Sequence, residues 1–254
     1  MTAFVFLASP ASAEPPQKTL NFAYGVVEGF IEEETSGVGY ELMRAVLSRL
    51  QNQGHEISVT LVPFTRLLNG FQKKHYDLAF PIVKVSNFTL ASYKKWGFDE
   101  IPLYSRPLYN GGEFVIYTPA KSARLSALRD LIGRDTVVIA GAYIPIDLVP
   151  PTSYSVEQVN SGHQAFKMVK FGRVDAFLVH EGWGKSVLTE LDISDLHHGQ
   201  PFGTIEGGFI AQNDEQGKSL IAAINQIISD IIDDGTYAKI LKKFPDSTFV
   251  FRHE

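Results

Sequence analysis

Between Asp77 and Ile82 the chain reads Asp-Leu-Ala-Phe-Pro-Ile, an apolar run too short for an ordinary helix. With no polar face to offer water, such a run fits a strand buried on both faces of a parallel sheet. The neighbouring segments alternate in period. Leu20 to Tyr24 reads as a strand. Tyr40, Met43, Leu47 and Leu50 recur at helical spacing until Gly54. Ile57 to Val62 is a second strand, rich in β-branched residues, and Thr65 is placed to cap a helix over 66–74. Strand and helix in alternation predict an α/β fold rather than a sandwich or a bundle.

The pattern restarts after Gly111-Gly112. Strands are expected over 114–117, 136–140 and 174–179, and helices near 125–132, 164–171 and 183–191. Beyond Gly207-Gly208, residues 209–211 read as a strand that leads into a long helix. There Leu220, Ile221, Ile224, Ile227, Ile228, Ile231 and Ile232 make one broad apolar stripe, which Gly235 ends. The glycine-flanked strands near 111–117 and 206–211 are expected to be paired crossings between two lobes.

Composition excludes several chemistries. With no cysteine among 254 residues, disulfides, thiolate nucleophiles and Cys-based metal centres are out of reach. A net charge of −5 disfavours a nucleic-acid partner, which needs clustered Lys and Arg. His197-His198 has no third metal ligand at helical spacing and is expected to be an exposed loop pair. The sequence carries no G-x-S-x-G, P-loop, G-x-G-x-x-G or H-E-x-x-H motif. Residues 1–13 are expected to be the remnant of a signal peptide. A short apolar stretch, Ala3 to Ala8, precedes Ala11-Ser12-Ala13, the small-x-small pattern read by signal peptidase, although no basic residue comes before it.

Five segments together resemble bacterial periplasmic solute-binding proteins of family 3, the class associated with amino-acid ABC importers. They are Gly39-Tyr40-Glu41-Leu42; Val62 to Leu67 with Tyr76-Asp77-Leu78-Ala79; Phe98 to Tyr104; Phe171-Gly172-Arg173-Val174-Asp175-Ala176; and Ile232 to Leu241. The resemblance implies a two-lobed periplasmic-binding-protein fold of α/β class with a hinge of two crossing strands. One lobe would span 18–110, completed by 209–254, and the other 113–206. It further implies a monomer without cofactor or metal that captures a small solute in the periplasm, with an ABC permease as partner. A dehydratase-type enzyme, with Glu181 or Glu28 as its acid, and a ligand-sensing module are the alternatives.

The same resemblance points to a ligand site formed by Tyr24, Phe30, Arg66, Tyr104, Gly141, Ala142, Tyr143, His180 and Glu181. Tyr24 and Phe30 stand where the family places ring-stacking residues, with core packing as the competing role. Arg66 falls at a helix N-terminus, where the helix dipole disfavours a cation unless an anion pairs with it. Gly141-Ala142 permits close backbone approach ahead of Tyr143. Two anchors of the amino-acid binders are altered. From Phe80 to Phe98 there are Lys84, Lys94 and Lys95 but no Arg, and His180 stands where an amine-binding Asp is expected. Lysine supplies charge without the planar fork that clamps a carboxylate. A small polar or anionic solute other than a standard α-amino acid is therefore the expected ligand. Export with cleavage after Ala13 should leave Glu14 as the N-terminus, read by intact mass of the secreted protein.

Overall fold

In the computed structural model, residues 19–27, 29–32, 35–84, 90–95, 97–139, 155–245 and 247 are described. The chain opens with three parallel strands, β1 (Leu20–Gly25), β2 (Ile57–Val62) and β3 (Leu78–Lys84), linked by helices α1 (Val38–Asn52) and α2 (Phe64–Gln72). β1 is central: Leu20 to Gly25 pair with Ile57 to Val62, and Phe22 to Tyr24 with Leu78 to Phe80. The apolar run is buried as expected, Leu78 through Ile82 all being core. Helix α1 turns Val38, Leu42, Met43, Val46, Leu47 and Leu50 inward. Each such side chain contributes about 1.5–3 kcal/mol by leaving water.

Helix α3 (Leu90–Lys95), β4 (Leu103–Tyr104) and the long strand β5 (Tyr109–Pro119) follow. The second α/β unit contains β6 (Asp135–Ile139), β7 (Ser155–Val159), α4 (Gly162–Lys170), β8 (Ala176–His180), α5 (Glu181–Glu190) and β9 (Leu196–His198). The chain then returns through β10 (Phe202–Ala211) to α6 (Glu215–Asp233) and α7 (Thr236–Leu241). Asp214 caps α6 by accepting the Gly217 N–H at 2.7 Å. Gly235, at φ 76°, makes the left-handed corner into α7.

The strands follow the order β2-β1-β3-β10-β5-β8-β6-β7. Strands β6, β7 and β8 are mutually parallel, whereas β5 and β10 run antiparallel to their neighbours. The hydrophobic cores divide along these two strands. Two clusters draw their buried members from 22–109 and 209–240, and two others from 114–187. The change falls between Tyr109 and Phe114 on β5, and β10 carries Phe202 beside the second set and Phe209 inside the first. This is a two-lobed periplasmic-binding-protein fold whose lobes are joined by two crossing strands.

Several local expectations are corrected. Helix α2 begins at Phe64 behind Pro63, and no side-chain cap forms, so Thr65 lies inside the helix rather than ahead of it. The helix expected near 125–132 is a single 3-10 turn, Leu128–Leu131. The His197-His198 pair lies on β9, hydrogen-bonded alongside Thr118 and Tyr117 of β5, rather than in a loop. The strand expected at 209–211 starts at Phe202.

The crossing depends on a close approach. Tyr109 and Gly207 are cross-strand partners, and a Cβ at position 207 would lie 2.0 Å from Cζ of Tyr109. The Tyr109 ring is itself wedged 4.4 Å from Phe30 and 6.0 Å from Phe80, and burial pushes its hydroxyl pKa upward. Gly207→Ala should therefore cost about 1–3 kcal/mol, the usual penalty of overpacking. Urea denaturation with an unchanged m-value checks this; a variant as stable as the parent would mean that the ring has room to move.

Candidate functional site

Strand direction locates the site. On β10, Glu206 lies opposite Lys84, the last residue of β3, and also opposite Asn110 of β5. On β5, Phe114 lies opposite His180, the last residue of β8. The carboxyl ends of both parallel strand sets thus meet at the crossing, where α/β sheets place their ligands.

The first wall comes from the ends of β1, β2 and β3. Gly25 closes β1, and a Cβ there would lie 3.0 Å from the Phe64 ring and 3.2 Å from its Cα, so glycine lets the first turn of α2 pack against the strand end. That contact carries Arg66 to the same end as Tyr24. Arg66 is exposed and makes no ion pair with any described residue, although it occupies the electropositive turn of its helix. Tyr24 is buried, its ring 6.0 Å from that of Tyr40. Desolvation, with a smaller contribution from Tyr40, raises its hydroxyl pKa and keeps it a neutral donor. Lys84 is exposed at the end of β3.

The second wall comes from β8 and the helices behind it. His180 stacks edge-on to Phe114 at 5.2 Å and is half-buried. It precedes α5 as N-cap residue without a side-chain cap bond. Glu181 opens α5, where the dipole favours an acid, and accepts from Lys185 Nζ at 2.7 Å one turn on. Beneath it, the Tyr117 hydroxyl is buried with no hydrogen-bond partner among the described residues. Burial, and then the negative charge of Glu181, push its pKa up to about 12. Helix α4 begins nearby, its first turn capped by the Ser161 hydroxyl, which accepts from Gln164 N–H at 3.3 Å. Trp183 stands between the two helix starts, its six-membered ring over Gly162. Neither Lys84 nor Trp183 was among the expected site residues, because nothing local in the sequence distinguishes a cleft lysine or tryptophan from a surface or core one.

Phe30 and Tyr104 have partners of their own. Phe30 is 1% exposed and packs against Tyr109 and Phe80, beneath the first wall rather than on it. Its close neighbour is Gly39, where a Cβ would come within 2.6 Å of the ring. Tyr104 accepts a hydrogen bond from the Tyr93 hydroxyl at 3.0 Å and lies opposite Ile210, which pairs with Ala79. Ala79 also pairs with Ala23, so Tyr104 lies one residue from the level of Tyr24 and five, or roughly 16 Å at about 3.3 Å each, from that of Lys84. Arg106, the next arginine after Arg66, donates to Ser229 on α6. Gly141, Ala142, Tyr143 and Glu28 lie outside the described residues. Among the described residues no cluster of three or more His, Cys, Asp or Glu could hold a metal ion, and no helix is long and apolar enough to cross a membrane.

The sequence profile of the bacterial extracellular solute-binding proteins, family 3, matches residues 28–247. The chain belongs to this family. A comparison with curated protein sequences finds no match. Among solved structures, a mutant of ArgBP from T. maritima is similar at 19% identity and a TM-score of 0.66, covering 89% of this chain and 94% of that one. A histidine kinase sensor domain with similarity to periplasmic binding proteins matches at 14% identity and a TM-score of 0.68, covering 93% and 99%. The GluR0 ligand-binding core from Nostoc punctiforme, in complex with (L)-glutamate, matches at 19% identity and 0.66, covering 89% and 99%. At these identities the likeness establishes the fold.

In this family-3 protein the buried Tyr117 hydroxyl is a cost without an internal return. An unbonded buried polar group costs about 1–3 kcal/mol, so Tyr117→Phe should leave stability unchanged or raise it by up to about 1 kcal/mol in chemical denaturation. Destabilisation beyond about 1 kcal/mol would mean that the hydroxyl is bonded in the folded protein.

Proposed function

We propose that the protein captures a small polar or anionic solute between its lobes, in the periplasm, as a monomer, and delivers it to an ABC permease. The lobes are taken as residues 18–110 with 209–254, and 113–206. The supporting observation is the meeting of the carboxyl ends of β1–β3 and β6–β8 at the β5/β10 crossing. On this reading Tyr24, Arg66 and Lys84 serve the first wall, and His180 and Glu181, with Gly141, Ala142 and Tyr143, the second. Solute entry would draw the lobes together about the crossing strands. Two separated cations on one wall and helix starts on the other favour an anionic group. The lack of an arginine fork in 80–98 and the histidine at 180 disfavour the α-amino-acid arrangement.

A sensory role, with a membrane partner in place of a permease, is the second reading, favoured by the likeness to the histidine kinase sensor domain. Neither reading invokes catalysis, and the family is one of solute-binding proteins.

A thermal-shift panel of the standard amino acids, organic acids, amines and cyclic solutes tests the ligand class. An organic acid or cyclic anion should give the largest shift. Arg66→Ala should weaken that solute by roughly tenfold or more, as expected for loss of a charged hydrogen bond worth about 1.5–3 kcal/mol. Stability without ligand should hardly change, because Arg66 is exposed. Tight binding of a standard amino acid would overturn the ligand class, and an unaffected Arg66→Ala would remove that residue from the site.

A further inference from the structure

Trp183 belongs to α5 in the second lobe, yet it packs against hydrophobic clusters of both lobes. One cluster's buried members all lie in 115–187, the other's in 22–109 and 209–240. Val83, at the end of β3, makes the reverse contact next to the crossing strands, from the first lobe onto a second-lobe cluster. Trp183, by contrast, sits in the first turn of α5, at the end of β8 where the gap between the lobes is proposed. Its seat is shaped from below: a Cβ on Gly162 would come 2.8 Å from Cη2 and 3.1 Å from Cζ2. Only glycine at the start of α4 lets the ring lie as it does.

We infer that Trp183 is a positioning residue for solute capture, a latch whose ring bridges the two lobes and holds part of the population closed before any solute arrives. This rests on the reading of the gap as a closing ligand cleft. A closed fraction present without ligand raises apparent affinity in proportion, whatever the solute. Removing apolar contact equivalent to one or two methylenes between the lobes should lower the closed-to-open ratio by ~4-fold or more. Because the bias acts on closure rather than on a solute contact, its loss should weaken all solutes by the same factor and leave their rank order unchanged.

The absence of cysteine allows a direct test. Cysteines placed at the exposed positions Lys73 and Arg173, one in each lobe, can be spin-labelled uniquely, and double electron–electron resonance then reads the interlobe distance. Without solute, Trp183→Ala should move the distribution toward longer distances by the stated ratio. Gly162→Ala should do the same although it removes no apolar contact and improves helix propensity, which separates displacement of the ring from general destabilisation. If Trp183→Ala does not fold, Gly162→Ala alone carries the test. Distributions identical to the parent in every folded variant would overturn the latch. L-arginine, L-glutamate, citrate and spermidine are added in parallel arms. Closure by one of them in parent and variants alike, with identical solute-free distributions, removes the latch but keeps the cleft; no response to any solute or substitution removes both.

Discussion

The antiparallel ladder between β5 and β10 is the constraint on which the rest of the molecule depends. Each strand begins in one lobe and ends in the other, and the pairing resumes on both sides of two register shifts between Phe202 and Glu206 while the cores on either side remain distinct. Register does the orienting. Because Glu206 faces Lys84 and Phe114 faces His180, the strand ends that can hold a ligand are turned toward each other rather than toward opposite poles. The pairing leaves little room for side chains. Gly207 has none, and the Tyr109 ring occupies the space that one would take.

The two walls differ in how they handle charge. On the first, Arg66 and Lys84 are exposed cations without ion-pair partners among the described residues, and they stand on separate elements. On the second, the acid Glu181 is neutralised within its own helix by Lys185 and favoured by the helix start. An anionic solute would meet attraction from one side and backbone N–H groups from the other, with little net repulsion from Glu181. Separate point charges suit an anion whose charge is spread over more than one group better than a single carboxylate gripped by a planar fork.

Rigidity and motion are divided in the same way. Below the first wall, Phe22, Phe30, Phe80, Tyr109 and Phe209 form a continuous aromatic packing that joins β1, β3, β5 and β10 into one body. Above it, the contact between the lobes is carried by a few side chains, Trp183 and Val83 among the described residues. A dense base with a thin upper contact is the mechanical arrangement a hinge needs, because bending disturbs few buried groups.

The alternation of strand and helix, the buried run at 78–82 and the apolar stripe of α6 were legible in the sequence because each is a local periodicity that survives any tertiary arrangement. So were the family and the two crossing strands, which rest on short motifs in fixed order. Of the candidate site, the positions at element ends were legible. Tyr24, Arg66, His180 and Glu181 stand at strand or helix ends, and a sequence reveals such ends. What surrounds Phe30 and Tyr104 was not legible: Phe30 packs against Phe80 and Tyr109, and Tyr104 pairs with Ile210 one residue from the level of Tyr24. Trp183 has no local mark at all. Its setting depends on which first-lobe residues pack against it, and contacts between segments distant in sequence are decided by packing and register, which local pattern does not encode.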